Sequence, residues 1–190
     1  DQYVTSTCIA GSSTATGSNT VSEDCSESSN TASSFPEIDN ILAYYPFNGN
    51  ANDESGNGKH GTVEGGATLT SDADGNSESA YYFNGVNGSR IRVFDPDFPL
   101  NTSSFTISMM MKGDDINYRH FFGHGSAVLN NGLHARFDSN GTIRYGFFNN
   151  DYVLSLGNLD ITSWHNYVFV YDHDSAKRAI YIDGNLLGEQ

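Results

Sequence analysis

The stretch Phe105-Thr-Ile-Ser-Met-Met-Met-Lys112 decides the fold class of this 190-residue chain, because large apolar residues occupy alternate positions along it. In a β-strand, one face would carry Phe105, Ile107, Met109 and Met111, and the other would carry Thr106, Ser108, Met110 and Lys112. A helix would scatter the same apolar side chains around its circumference. The pattern therefore predicts a strand that covers a core on one side.

Short β-branched and aromatic runs continue on both sides of this stretch, and Gly and Asn residues interrupt them at roughly regular spacing. This spacing is typical of a β-sandwich or jelly roll. We expect strands at residues 41–47, 80–83, 90–94, 120–122, 133–137, 143–148, 165–171 and 179–182. Asn140-Gly141 predicts a tight hairpin, since Asn-Gly tolerates the positive φ of such turns. The expected fold is all-β, a two-sheet antiparallel jelly-roll sandwich with an extended N-terminal arm.

Pairs of adjacent aromatic residues recur along the chain. Neighbouring side chains of a strand point to opposite faces of the sheet. We therefore expect one ring of each pair in the core, while the other serves as a sugar platform or covers a neighbouring layer. The pairs are Tyr44-Tyr45, Tyr81-Tyr82, Phe121-Phe122 and Phe147-Phe148.

The charge balance excludes several classes of function. The chain carries 23 acidic and 9 basic side chains, for a formal net charge of −14. Binding to nucleic acid or to anionic membranes depends on clustered Lys and Arg, which this composition does not supply. No run of apolar residues approaches the roughly 20 that a membrane-spanning helix needs.

Residues 1–34 differ in composition from the rest and are predicted to form an arm before a domain at 35–190. They contain 16 Ser or Thr residues and few large apolar ones, so they cannot bury enough surface to fold alone. The two cysteines, Cys8 and Cys25, both lie here. Their spacing matches no common zinc site and favours a disulfide, which would indicate an oxidising extracellular compartment. Two unpaired thiols are the alternative.

Three Asn-x-Ser/Thr sequons, at Asn87, Asn101 and Asn140, agree with an extracellular or cell-surface location. Since the chain is rich in Asn, Ser and Thr, three such matches are close to chance. The Ser/Thr-rich arm has the composition of an O-glycosylated stalk.

Catalytic patterns are missing from the sequence. A glycosidase on a sandwich displays alternating carboxylates along one strand, and the nearest approach, Glu37-Ile-Asp39, lacks a third acid. No Gly-x-Ser-x-Gly nucleophile turn occurs. The six histidines are expected in ordinary sheet and turn positions. We therefore predict a protein that is not an enzyme.

Three segments rich in Asn and Asp are candidate loops for Ca²⁺ or a glycan. Calcium takes six to eight oxygen ligands, which carboxylates and amides supply. The alternative is that these residues form Asx-turns, which also favour Asn and Asp. The candidate residues are Asn52 and Asp53 in the first segment, Asp114 and Asp115 in the second, and Asn150 and Asp151 in the third.

Several motifs together resemble the laminin-G-like, concanavalin A-like domain family. They are the run from Ala43 to Gly61 (Ala-Tyr-Tyr-Pro-Phe-Asn-Gly-Asn-Ala-Asn-Asp-Glu-Ser-Gly-Asn-Gly-Lys-His-Gly), Tyr82-Phe-Asn-Gly85, Ser104-Phe-Thr-Ile-Ser108, Gly146-Phe-Phe-Asn-Asn-Asp151, Trp164-His165 and Tyr181-Ile-Asp-Gly184. The resemblance covers about residues 41–190. It implies a two-sheet jelly roll, typically extracellular, that binds glycans or proteins, often with a loop-bound Ca²⁺ and usually without catalysis.

Domains of this family normally continue for about 30 residues after the Tyr181-Ile-Asp-Gly184 hairpin and close with a strand beside the first one, whereas this sequence stops at Gln190. We expect this chain to leave an open sheet edge there, which is an aggregation hazard unless something fills it. The segment from Gln2 to Ile9 alternates well enough to pair as that strand, within its own chain or in a neighbouring copy. The first function predicted is therefore a self-assembling extracellular fibre or surface-layer subunit, joined head-to-tail through the arm. The alternative is a Ca²⁺-assisted glycan-binding or adhesion module.

Overall fold

A computed structural model gives the fold, and it describes residues 2–11 by their backbone, together with residues 41–86, 88–94, 98–100 and 102–190. Among these residues the secondary structure is entirely β, as the sequence predicts. The strands are β1 (Gln2–Gly11), β2 (Ile41–Tyr45), β3 (Gly61–Glu64), β4 (Thr68–Thr70), β5 (Ala80–Phe83), β6 (Arg90–Val93), β7 (Phe105–Gly113), β8 (His120–His124), β9 (Leu133–Asp138), β10 (Thr142–Phe147), β11 (Asn150–Ser155), β12 (His165–Asp172), β13 (Lys177–Ile182) and β14 (Asn185–Glu189).

The larger sheet has eight strands in the order β14-β13-β12-β7-β1-β5-β4, with β2 also paired to β1. Its central part contains β7, whose residues alternate between buried and half-buried along the strand. Phe105, Ile107 and Met111 are each 1% exposed, so the alternating stretch covers the core as predicted. All pairings in this sheet are antiparallel.

The smaller sheet has four antiparallel strands in the order β11-β10-β9-β8. Strands β9 and β10 form the predicted hairpin across Asn140-Gly141, with Asp138 opposite Thr142 and Phe137 opposite Ile143. β3 and β6 form a separate two-stranded sheet. The antiparallel sheets and their shared core make a jelly-roll sandwich, which confirms the predicted fold class.

Aromatic rings from the two main sheets meet in the core. Phe169 of β12 packs against Tyr145 of β10 with ring centroids 5.2 Å apart, and both side chains are fully buried. Phe137 and Tyr167 add a further edge contact at 6.0 Å. Edge-on aromatic pairs of this kind stabilise a core beyond the burial of their area.

One aromatic pair departs from the prediction that only one ring of each pair faces the core. A register shift follows His120 in β8, so Phe121 and Phe122 are not on opposite sides of a regular strand. Phe121 contacts Phe137 at 4.6 Å, and Phe122 contacts Phe169 at 5.1 Å. The irregularity therefore turns both rings toward the core.

Four strands in the described part of the chain were not predicted, namely β3, β4, β11 and β14. β3 and β4 have only four and three residues, and most of β14 is exposed, so these three lack the alternating apolar pattern of a half-buried strand. β11 has six residues, as many as β9 and β10, but it begins with Asn150 and Asp151, which favour turns. The segment from Gln2 does form a strand, β1. The predicted boundary between the arm and the domain, at residues 34 and 35, lies outside the described residues.

Candidate functional site

The first predicted loop uses its acidic residue to hold its own backbone. Asp53 is 5% exposed, and its carboxylate accepts hydrogen bonds from the backbone amides of Tyr44, Ser55 and Lys59, each at 2.9 Å. Burial by itself would raise the pKa of Asp53, but these hydrogen bonds to the charged form outweigh it and lower the pKa below its usual value. Asn52 is exposed and donates its backbone N–H to Asn50. The geometry is that of an Asx-type turn.

The second predicted loop, between β7 and β8, contains an exposed Asp114 and a paired Asp115. Asp115 accepts two hydrogen bonds from the Arg119 guanidinium, at 2.9 and 2.5 Å, and one from the backbone amide of Asn117 at 2.8 Å. Hydrogen bonding to Arg119 is the main reason why the pKa of Asp115 falls to about 2. The pair fixes the path of the chain leading into β8.

The prediction that Asn150 and Asp151 lie in a loop is wrong, because both belong to the start of β11. Asn150 is held by Arg178 of β13, whose guanidinium donates to the Asn150 side-chain oxygen at 2.8 Å and to its backbone carbonyl. Gly146 leaves room for this contact, since a Cβ there would overlap the guanidinium and that carbonyl. The segment pairs with the neighbouring strand β10, with Asn150 opposite Phe147 and Asp151 opposite Gly146, and is therefore part of a hairpin.

The surface of the small sheet that points away from the core carries a ladder of charged side chains. On β9 and β10, Arg136 and Arg144 are Cα partners, and each donates through Nε to one oxygen of Asp138, at 2.7 and 2.8 Å. Arg144 also donates to Asp151 of β11 at 2.8 Å. We call this surface the outer face and define it by His120, His134, Arg136, Asp138, Arg144 and Asp151.

The Asp138 carboxylate of the outer face remains ionised because of its two arginine partners. Asp138 is 6% exposed, and burial would raise its pKa, yet hydrogen bonds from Arg136 and Arg144 lower the pKa below the ordinary value. Asp138 accepts hydrogen bonds from both guanidinium groups, so it fixes their relative positions. The two arginines are thereby held in place before any ligand arrives.

Two histidines lie at the β8 and β9 side of the outer face, with ring centroids 6.2 Å apart. Burial, together with the positive charges of Arg136 and His134, lowers the pKa of His120. His134 Nδ1 lies 2.9 Å from the Gly132 carbonyl, which can only accept, so this nitrogen carries the proton. His134 Nε2 lies 3.0 Å from Asp151 Oδ1, without the alignment of a hydrogen bond, and the contact is an ion pair only when the ring is doubly protonated.

An exposed aromatic ring borders the outer face. Tyr118, in the loop before β8, is 61% exposed, and the Arg136 guanidinium lies 5.4 Å from its ring centroid. Its φ is +52°, a left-handed conformation that is costly for a bulky residue. Strain of this kind persists only where the surrounding structure imposes it, and it is concentrated at functional sites.

Hydrogen-bond donors remain on the outer face after its internal pairs are formed. Arg136 uses Nε for Asp138, and Arg144 uses Nε and one terminal nitrogen. Within the described ranges, no acceptor pairs with the other terminal N–H groups of these two side chains, which are 23% and 27% exposed. The arrangement can therefore donate to oxygen atoms of a ligand placed beside Tyr118.

The structure also contains an apolar cavity of about 510 Å³ between the sheets. Its lining is dominated by apolar and aromatic side chains, among them Phe47, Phe83, Phe98, Met109 and Phe122. Such a lining suits an apolar molecule, whereas a sugar needs several polar partners. We therefore regard the outer face as the better candidate for a glycan.

The remaining predicted sites have different outcomes. No group of three or more His, Cys, Asp or Glu side chains able to hold a metal occurs in the described part of the chain, and calcium binding stays a prediction. Asn140 is exposed in the β9–β10 turn, and its use as a glycosylation site stays a prediction. Asn87, Asn101 and Cys25 lie outside the described residues, as does the side chain of Cys8, so the predicted disulfide is untested.

Sequence reasoning missed most of the outer face. It named Asp151, but neither the other charged residues Arg136, Asp138 and Arg144 nor Tyr118 at the border of this face. One available signal was the alternation of charged residues with core residues in 133–138 and 142–147, which places them on one face of a hairpin. The contribution of Tyr118 had no such signal, since it depends on the path of a loop.

Comparison with known proteins identifies the family but no individual relative. The family model described as the concanavalin A-like lectin/glucanases superfamily, of laminin G type, matches residues 84–190, which is more than half of the chain. No curated protein and no solved structure matches the chain. Across the residues that the structure describes, no helix is long and apolar enough to cross a membrane.

Proposed function

The chain belongs to the concanavalin A-like lectin/glucanases superfamily, and from this premise we propose that it is an extracellular glycan-binding or adhesion module whose ligand lies on the outer face of the small sheet. A domain of this family fits a lectin-like or adhesion role. The observation that carries the proposal is the exposed ring of Tyr118, whose backbone has a positive φ and whose centroid lies 5.4 Å from the Arg136 guanidinium. This ring provides an apolar platform beside the guanidinium groups of Arg136 and Arg144, which Asp138 holds in place.

The chemistry of the outer face favours an oxygen-rich, uncharged ligand. A pyranose ring presents C–H groups on one face, which pack on an aromatic ring, and hydroxyl and ring oxygens at its edge, which accept from guanidinium N–H groups. Arg136 and Arg144 are balanced by Asp138 and Asp151. Residues 59–190 carry 15 acids and 9 bases, so the domain repels polyanions at long range. We therefore assign a neutral oligosaccharide.

The proposed role is binding without catalysis, which the family name leaves open because it covers both lectins and glucanases. A glycosidase needs a carboxylic acid whose pKa is raised so that it can protonate the leaving oxygen. Arg136 and Arg144 instead lower the pKa of Asp138, so it stays ionised. This carboxylate supports its arginine neighbours and does not act as a general acid.

Tyr118→Ala is the test. The full chain is first screened on a glycan array that contains neutral, uronic-acid-bearing and sulfated oligosaccharides. The affinity for the neutral oligosaccharide that binds best is then measured by calorimetry, once with calcium and once with EDTA. We expect Tyr118→Ala to weaken binding about fivefold or more, since stacking on an exposed ring contributes on the order of 1 kcal/mol or more. Tyr118→Phe keeps the ring and should bind within about twofold of the parent. Calcium should have no effect.

Phe94 provides a matched control elsewhere on the surface. It is 72% exposed, and the Arg92 guanidinium lies 5.0 Å from its ring, so Phe94→Ala removes a similar ring from a similar pair. Binding should be unchanged in this variant. An equal loss in Phe94→Ala and Tyr118→Ala, or an array with no neutral ligand for the folded chain, would show that the assignment is wrong.

A further inference from the structure

We propose that β1 of one chain completes the large sheet of a second copy of the same chain, so that exchange of this strand joins copies. The proposal concerns assembly and is independent of glycan binding. It rests on the position of β1 within the sheet and on the length of the segment that follows it.

β1 occupies the middle of the large sheet. On one side it pairs with β7, from Gln2 opposite Gly113 to Gly11 opposite Phe105. On the other side its first part pairs with β5 and its second part with β2. Within the described sheet, removal of β1 would leave the facing edges of β7, β5 and β2 without backbone partners. Unpaired edges of this kind are templates for a strand from another molecule.

The connection between β1 and β2 is much longer than their arrangement requires. Ala10 of β1 is the Cα partner of Ile41 of β2, so the two strands are antiparallel neighbours at the point where they are joined. Two to five residues close such a hairpin. Residues 12–40 supply 29, among them 13 Ser or Thr, five acids and no Lys or Arg.

The length of residues 12–40 suffices to reach another molecule. Fully extended, 29 residues span on the order of 95 Å. A domain of about 150 residues has a diameter of roughly 40 Å, from its expected radius of gyration. β1 can therefore be placed in a neighbouring copy while residues 41–190 remain in their own domain.

The two arrangements form the same strand pairs. The same Cα partners are formed whether β1 comes from the same chain or from another, so exchange sacrifices no strand pairing. Pairing within one chain requires closure of the connection formed by residues 12–40, which costs conformational entropy, whereas pairing between chains depends on the concentration of copies. Exchange should therefore increase with protein concentration during folding, when the sheet is still open.

The register of β1 supplies a direct test through a disulfide, because Cys8 and Ser108 of β7 are Cα partners. The first full-length chain carries Cys25→Ser and keeps Cys8. The second carries Cys8→Ser, Cys25→Ser and Ser108→Cys. Each chain then has one thiol. A disulfide between the two chains therefore requires that β1 of the first chain lies beside β7 of the second. The chains carry different tags, are refolded together at several concentrations and are analysed on non-reducing gels after mild oxidation.

We expect a disulfide-linked heterodimer whose yield rises with concentration. In a control version of the second chain, the cysteine is placed at Ser139 (Ser139→Cys) and Ser108 is kept. Ser139 is exposed in the turn of the small sheet, so disulfides formed there report the rate of random collisions. A single chain with Cys25→Ser and Ser108→Cys should form the bond internally when dilute, which shows that the pair can be bridged. The proposal would be overturned if the single chain forms its internal disulfide but the yield of heterodimer is no higher than with the Ser139→Cys control.

Sedimentation of the unmodified chain gives a second readout that does not depend on cysteine geometry. After refolding at increasing concentration, the parent chain should contain dimers or longer assemblies that persist on dilution, because their release requires the sheet to open. A chain that sediments as a monomer after every refolding concentration would also overturn the proposal.

Discussion

Asp53 and Asp138 are both buried carboxylates, at 5% and 6% exposure, but they differ in what donates to them. Backbone amides surround Asp53, whereas two arginine side chains hold Asp138. An amide N–H that bonds to Asp53 has no further donor for a ligand, but a guanidinium that bonds through Nε retains others. The same residue type therefore closes a loop at one place and orders a binding surface at the other.

The largest effect on stability is expected from Asp53→Asn. The amide side chain offers one acceptor oxygen and turns an NH₂ group toward backbone N–H donors, so at least one buried amide loses its partner. We expect the free energy of unfolding to fall by about 3 kcal/mol, measured by urea denaturation. The neighbouring Glu54→Gln, at an exposed position, is the control and should change it by less than about 0.5 kcal/mol. Equal losses in both variants would contradict the role of the Asp53 turn.

A smaller loss of stability and a loss of binding are expected from Asp138→Asn. Arg136 and Arg144 are 23% and 27% exposed, so water partly replaces the lost acceptor, and the free energy of unfolding should fall by about 1.5 kcal/mol. Because the two guanidinium groups are no longer held together, glycan affinity should fall at least about threefold. The Asp53→Asn variant, assayed under conditions in which it is folded, should bind the glycan with the same affinity as the parent. If the two variants bind alike, Asp138 does not order the outer face.

The smallest effect is expected from Asp115→Asn, and it depends on pH. The pair with Arg119 is exposed, so at pH 7 the loss should be about 0.5 kcal/mol. Since the pKa of Asp115 falls to about 2 in the folded state, its contribution is complete above the unfolded pKa of about 3.9 and disappears as pH falls toward 2. Urea midpoints of parent and variant should converge over that range.

Asp114→Asn removes the same charge from an exposed neighbour. It separates the effect of net charge from that of the Arg119 pair. If Asp114→Asn and Asp115→Asn shift the urea midpoint equally at every pH, the pair with Arg119 has no individual contribution to stability.

The strands that could be predicted from sequence are those in which local pattern and tertiary role agree. β7 alternates cleanly, and Asn140-Gly141 marks a hairpin with strands on both sides. Asn150 and Asp151 have the propensity of a loop, but both lie in β11, because the turn is confined to residues 148–149 and β11 pairs with β10 directly after it. Arg178, which is distant in sequence, also donates to Asn150. Residue propensity is therefore a weak guide to where a turn ends and a strand begins.

The amino-acid sequence by itself determined the all-β class, the core face of β7 and the β9–β10 hairpin, because alternation and turn chemistry act between residues close together in the chain. Only the tertiary structure decided that Asp53 closes a loop while Asp138 holds Arg136 beside Tyr118. Alternation along β9 and β10 places Arg136, Asp138 and Arg144 on one face of the hairpin, but it does not say which of these side chains pair, nor where the loop that carries Tyr118 runs. The fold could therefore be read from local patterns, whereas the candidate site required the assembled sheet.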